Sequence, residues 1–290
     1  MKKARIRLYA FVIASVVWSL IPIYYIINIS AEYYREISHF PPYLIAPNPS
    51  LVNYFRLFGQ TVQTPFGLIR PTGHSQYFIT GIENSMIVAM FVMMLTMLIA
   101  TPAGYAFGRM RFPGKDAMFF VLLFSRCAPP VSTVIPYYMF YRAAGLLGTQ
   151  AGIVLVHLTI TIPLITWVLM GFFRTLPIET ERAARIDGCT RFQAFRKVLI
   201  FMAMPGIATC GILAFLTSWN EFLFAWIVAT GTPAQTLPPV LLGYIVGGAE
   251  FYPEVMAAAD TVAIIPALIT GALLQKYIKR LNLVDPITYR

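Results

Sequence analysis

Of the 290 residues, 58% are hydrophobic and only 12% are charged, yet the formal net charge is +10. A soluble domain carries about 25% charged residues and no apolar run of twenty, so the composition excludes an ordinary soluble enzyme and points to lipid as the solvent. The basic excess forms no face interleaved with aromatics, which argues against nucleic acid as a partner. Lys and Arg instead sit in short stretches between apolar runs, the pattern set by anionic lipid and the positive-inside rule.

The chain opens with Met1–Arg7, basic, followed by an apolar stretch. That stretch is longer than the core of a signal peptide and lacks a convincing cleavage site, so it is read as a retained first helix. A bilayer core needs about 20 mostly apolar residues per helix. Six segments qualify: Leu8–Ile29, Asn84–Phe107, Ala117–Tyr141, Gly152–Phe173, Ala203–Ala229 and Ala257–Tyr277. With both termini placed in the cytoplasm, seventeen of the 22 Lys and Arg fall on the inner side and four outside, which sets the expected orientation.

Between the first two spans, 30–81 reads as a long external loop, too polar and too interrupted by Pro41-Pro42, Pro47 and Pro49 to cross. The stretch from Thr230 to Met256 reads as a second external loop and holds no Lys or Arg. The expected organisation is a first helix and external loop over 1–81, a core over 82–280 with five spans and a cytoplasmic loop at 177–200, and a tail over 281–290 without an assigned role. Apart from Lys276 at the inner end of the last span, Arg126 alone among the basic residues falls within a span, where pairing with a carboxylate or snorkelling to a membrane edge is the ordinary explanation. His157 has no second ligand at i+4 and reads as a hydrogen-bonded packing residue. Cys127, Cys189 and Cys210 show no metal-ligand spacing and read as inert thiols.

Function concentrates in the cytoplasmic stretch from Pro177 to Gly188. Pro177 suits the start of a helix, and Glu179 and Glu181 lie favourably against the positive end of its dipole. Gly188 is placed to end it, and Thr190 with Gln193 makes a capping-box pattern that begins another. Two short helices with a sharp turn should therefore project between the fourth and fifth spans.

Proline, an acidic pair, Ala183-Ala184 and then Asp187-Gly188 resemble the EAA loop of the permeases of binding-protein-dependent ABC importers. Ser50–Phe58, Glu83-Asn84-Ser85, Ala103–Arg109, Phe112–Lys115, Ile135-Pro136-Tyr137, Gly145–Leu147 and Trp219–Phe222 extend the likeness over nearly the whole chain. Together they are similar to the carbohydrate-uptake branch, which includes the smaller maltose permease subunit. Arg182 departs from the pattern, which has glutamate directly before Ala-Ala.

The resemblance implies an all-α integral membrane protein of six transmembrane helices with the type I importer permease fold. It implies a coupling site at Glu179, Glu181, Arg182, Ala183, Ala184, Asp187 and Gly188, docked on a cytoplasmic ATPase. The implied partners are a second homologous permease, two copies of that ATPase, an extracytoplasmic substrate-binding protein and the lipid bilayer of a prokaryotic inner membrane. ATP and Mg would sit on the ATPase, with no cofactor, metal or catalytic residue on this chain. Gly114-Lys115 lacks the glycine spacing of a P-loop, which agrees with hydrolysis elsewhere.

Thr217, Asn220 and Glu221 are translocation-cavity candidates, because a mid-span carboxylate is costly unless it has a role. Polar contact between the two permeases is the alternative for them. An ion-coupled secondary transporter remains the second functional reading; it would want ionisable groups near the midplane and a repeat in the two halves.

Overall fold

The computed structural model describes residues 2–73, 75–246 and 252–281. The chain divides into two compact units, 1–82 with 240–265 and 83–239 with 266–290. The expected tail at 281–290 lies almost wholly outside the described residues. Five helical stretches among the described residues are long and apolar enough to cross a bilayer: Arg7–Ser30, Ser75–Arg109, Gln150–Thr175, Arg191–Trp219 and Pro253–Gln275.

The first unit begins with α1 (Lys2–Ser30), whose apolar side chains from Leu8 to Ile21 are exposed, as suits a lipid-facing helix. Its Pro22 is the kind of interior proline that membrane helices tolerate. The external loop is folded rather than loose. It carries α2 (Tyr34–Ile37), α3 (Val52–Leu57) and a small antiparallel hairpin of β1 (Val62–Thr64) and β2 (Gly67–Ile69), with Val62 opposite Ile69.

Buried polar groups hold this loop through hydrogen bonds, as burial demands, with Glu254 Oε2 left unbonded. The Asn28 amide donates to Glu32 Oε1 at 2.6 Å while its oxygen accepts from the Ala46 N–H at 2.8 Å. Asn53 Nδ2 donates to the Ser30 and Glu32 carbonyls at 3.1 and 2.7 Å. Arg56 makes a buried ion pair with Glu254 at 2.8 Å and lies 4.6 Å over the Tyr252 ring.

The second unit takes α4 (Ser75–Arg109) from Glu83 onward, then α5 (Lys115–Phe124), α6 (Pro130–Ala143), α7 (Gln150–Thr175), α8 (Ile178–Ile186) and α9 (Arg191–Ala194). A π-helical turn, Phe195–Leu199, leads into α10 (Ile200–Trp219), followed by α11 (Leu223–Ala229); α12 (Leu237–Val246) passes into the first unit at Val240, and α13 (Pro253–Leu281) returns to the second at Pro266. Two apolar clusters lie in the core of the second unit among the described residues. Val88, Val92, Ile153, Val156, Phe224 and Val228 build one; Ala100, Tyr105, Leu169, Phe173, Phe195 and Leu199 build the other. Between α4 and α7 the Thr96 and Thr161 hydroxyls meet at 2.7 Å.

Several expected boundaries are corrected. The third span, expected as Ala117–Tyr141, is two helices with a break at Ser125–Pro129, so the count of six continuous spans does not hold. Pro129 and Pro130 cause the break: neither has an N–H to donate, and the residue before a proline is pushed out of the α region. Pro130 then opens α6 at its first position.

The fifth span also stops early, at Trp219. Asn220 donates its side-chain amide to the Leu216 carbonyl at 2.9 Å, and Glu221 accepts from the N–H groups of Phe224 and Ala225, so the polar pair ends one helix and starts the next. Two helices begin before their apolar cores, α4 at Ser75 and α13 at Pro253. The expected loop from Thr230 to Met256 contains the apolar helix α12.

Candidate coupling loop and membrane polar cluster

Helix α8 is short and polar, and its ends explain its shape. Pro177 stands just before the first turn with φ −59° and ψ 128°. At the other end Gly188 has φ +88°, a conformation that costs glycine nothing and any residue with a Cβ a good deal. The Cys189 N–H donates to the Ala184 carbonyl at 3.0 Å and the Gly188 N–H to the Arg185 carbonyl at 3.2 Å. Those two bonds make a complete Schellman turn and satisfy carbonyls that the helix leaves free. Thr190 and Gln193 then exchange the two bonds of a capping box, at 3.2 and 2.8 Å, and start α9.

The expected coupling residues divide between the two sides of α8. Glu181 and Ala184, three apart, are buried. Glu181 Oε1 accepts from the Tyr105 hydroxyl of α4 at 2.8 Å, and the Tyr105 ring stacks on Phe195 at 4.6 Å. Glu179, Arg182 and Ala183 lie on the other face and are exposed, as are Asp187 and Gly188 at the turn. Ile186 joins that face and is 85% exposed, an apolar side chain held out among charges.

Two residues behind the loop carry no role in the sequence reading. Arg109, at the end of α4, donates Nε to the Phe173 carbonyl at 2.7 Å and a terminal nitrogen to the Leu176 carbonyl. A cation there satisfies the open carbonyls and the negative end of α7. Tyr105 ties α8 to the same helix. Their signal in sequence is faint: Arg109 reads as an inner-side charge, and nothing near it names carbonyls 64 and 67 positions onward.

The cavity candidates also separate. The Thr217 hydroxyl bonds back to the Leu213 carbonyl at 2.7 Å, within its own helix. Asn220 is exposed and caps α10. Glu221 belongs to a polar cluster that the sequence did not assemble. His157 Nδ1 lies 2.8 Å from Ser218 Oγ, and His157 Nε2 lies 3.0 Å from Glu221 Oε2. With Glu221 ionised, Nε2 donates to it and Nδ1 accepts from Ser218. The carboxylate also receives the Phe224 and Ala225 N–H groups, both at 3.0 Å. His157 is thus the hydrogen-bonded packing residue expected, and it joins α7 to the α10–α11 break.

Comparison with known proteins agrees with this architecture. Residues 100–282 match the family described as the binding-protein-dependent transport system inner membrane component. The trehalose transport system permease protein SugB of Mycobacterium tuberculosis is 34% identical over 203 residues, 69% of this chain and 74% of that protein. The sulfoquinovosyl glycerol transport system permease protein SmoH of Agrobacterium fabrum is 31% identical over 268 residues, 92% of this chain and 88% of that one. A chain from a bacterial ABC transporter that imports the acidic polysaccharide alginate superposes with a TM-score of 0.74, covering 93% of this chain and 96% of its own length at 22% identity. A helical, multi-pass chain with the type I permease fold, this protein belongs to the family of inner-membrane components of binding-protein-dependent transport systems.

Proposed function

We propose that this chain works as one of two permeases in an ATP-driven importer of a sugar or related polyol, and that the exposed face of α8 is its mechanical joint with a cytoplasmic ATPase. Two copies of the ATPase hold ATP and Mg, an external binding protein delivers the substrate, and the paired permeases alternate their access between the two sides. Family membership and relatives that transport trehalose and sulfoquinovosyl glycerol favour this reading over an ion-coupled carrier.

The observation that carries the joint is the division of α8. Glu181 and Ala184 hold it to the membrane core, while Ile186, Ala183 and Arg182 face outward. A load applied to the outer face therefore passes through Glu181 and Tyr105 into α4. The expected orientation, with both termini and α8 in the cytoplasm, rests on the charge asymmetry.

The test is capture of the cognate ATPase by the detergent-solubilised permease pair, with Ile186→Asp beside the natural chain. Retention by the natural pair and at least tenfold weaker retention by Ile186→Asp supports the joint. Equal retention removes α8 from the contact. Labelling in right-side-out vesicles that reached a cysteine at Lys3 and spared one at Asn48 would reverse the orientation.

A further inference from the structure

The break in the third span opens onto a cavity of 510 Å³ within the second unit. Arg126, Thr133 and Tyr137 line it from one side, Thr159 and Pro163 of α7 from another, and Phe224 of α11 from a third. Arg126 lies two residues past the end of α5, a helix of ten residues and about 15 Å that starts at Lys115 on the expected inner side; this places it near the middle of a hydrocarbon core about 30 Å thick. At that depth a guanidinium cannot reach either headgroup layer by snorkelling.

Among the described residues, no carboxylate pairs with Arg126, and no carboxylate lines the cavity. The ordinary explanations for a charge in a span, an internal ion pair or an escape to the interface, are therefore both missing. An ionisable side chain at this depth marks a substrate path unless a partner neutralises it.

Beside the aliphatic Leu158, Ile160 and Ile162, part of the remaining lining has the chemistry of a carbohydrate site. The Tyr137 ring meets Phe224 edge to face with centroids 5.2 Å apart, which offers aromatic surface to a sugar's C–H face. The Tyr137 hydroxyl donates to Thr159 Oγ1 over 3.3 Å, a long bond that a sugar hydroxyl could replace or extend. Thr133 supplies a further hydroxyl. A planar guanidinium adds what a neutral sugar does not need, a fork matched to an oxyanion.

We propose that this cavity is this subunit's part of the substrate path, and that Arg126 receives an oxyanion of the transported sugar, a carboxylate, sulfonate or phosphate. The proposal rests on the transport reading above and narrows its substrate to anionic carbohydrates. Thr133, Tyr137 and Thr159 then take hydroxyls of the same ligand.

The test uses the whole importer, with its cognate second permease, ATPase and binding protein, in lipid nanodiscs. ATP hydrolysis is measured with trehalose, maltose, digalacturonate, sulfoquinovosyl glycerol and glucose 6-phosphate. An anionic probe should give the largest stimulation, Arg126→Gln should reduce it at least tenfold, and Arg126→Lys should keep part of it. All three forms should copurify the second permease equally.

A neutral sugar as the best activator overturns the anionic assignment while leaving the transport reading intact. No response to any anionic probe, or an unchanged response in Arg126→Gln, overturns it as well. Loss of the second permease from Arg126→Gln would make the residue an intersubunit ion-pair partner instead. ATPase capture through α8 judges the transport reading separately.

Discussion

Tyr105 and Glu181, 76 positions apart, share a buried hydrogen bond of 2.8 Å that fastens the short helix α8 to the end of the membrane helix α4. Tyr105→Phe removes the donor and keeps the ring stacked on Phe195. Leaving a buried carboxylate without its partner costs about 1–3 kcal/mol. The variant should still insert and still bind the ATPase, but substrate-stimulated hydrolysis should fall several-fold relative to basal hydrolysis. Unchanged stimulation would mean that force does not pass through this bond.

Gly188 tests the turn itself. At φ +88°, a residue with a Cβ is strained by about 1–2 kcal/mol, and a β-branched one by more. Gly188→Val should reach the membrane yet lose most coupled hydrolysis. Gly188→Asn should retain much of it, because asparagine tolerates the left-handed region. Equal activity in all three forms would show that the Schellman turn is dispensable.

Glu221 should behave as the keystone of a membrane-buried cluster. Glu221→Leu strands His157 Nε2 and two backbone N–H groups, whereas Glu221→Gln keeps an acceptor for at least one of them. Breaking such a buried pair costs about 3–5 kcal/mol. Thermal unfolding in detergent should therefore rank natural chain above Gln above Leu, with Leu recovered in reduced yield. An unshifted unfolding temperature in Glu221→Leu would place the cluster outside the stabilising core.

Glu32 gives the external loop a pH dependence. Burial, with a smaller push from Glu36, raises its pKa above the ordinary 4.5 despite the hydrogen bond from Asn28. A carboxyl raised on folding contributes stability that is fully present below its unfolded value and is lost as pH rises through the folded value. Limited proteolysis of residues 30–73 should accelerate across that window. Glu32→Gln, neutral throughout, should flatten the profile; a profile of equal slope in the variant would assign the titration to another group.

Much of this was legible in the sequence, and the reasons differ from place to place. The long apolar runs exposed the membrane class, because lipid imposes a length and a polarity that few other environments share. The turn at Gly188 and the box at Thr190 and Gln193 were readable because capping is local, with donor and acceptor within three or four residues.

The two helix breaks were only half visible. Pro129-Pro130 stand plainly within the third apolar run, yet nothing in the string places Arg126 beside a cavity built with α7 and α11. Glu221 announced a cost without naming the imidazole 64 positions earlier that offsets it. The expected coupling residues look alike as a string, yet one helical turn sends Glu181 inward and Arg182 outward. Partners distant in sequence leave no periodic trace, so those assignments required the fold.

The close approach of α4 and α7 has one more consequence. A Cβ built at Gly104 would lie 2.7 Å from Leu169 Cβ, and one at Gly108 would lie 3.1 Å from the Met170 carbonyl oxygen. The absent side chains work as keyways cut into a shaft: the opposite backbone occupies them, so the two helices cannot slip by a residue without a backbone collision. Whatever tilts during a working cycle, this pair must tilt as one piece, and a random mutational library should be nearly barren at position 104, where even alanine has no room.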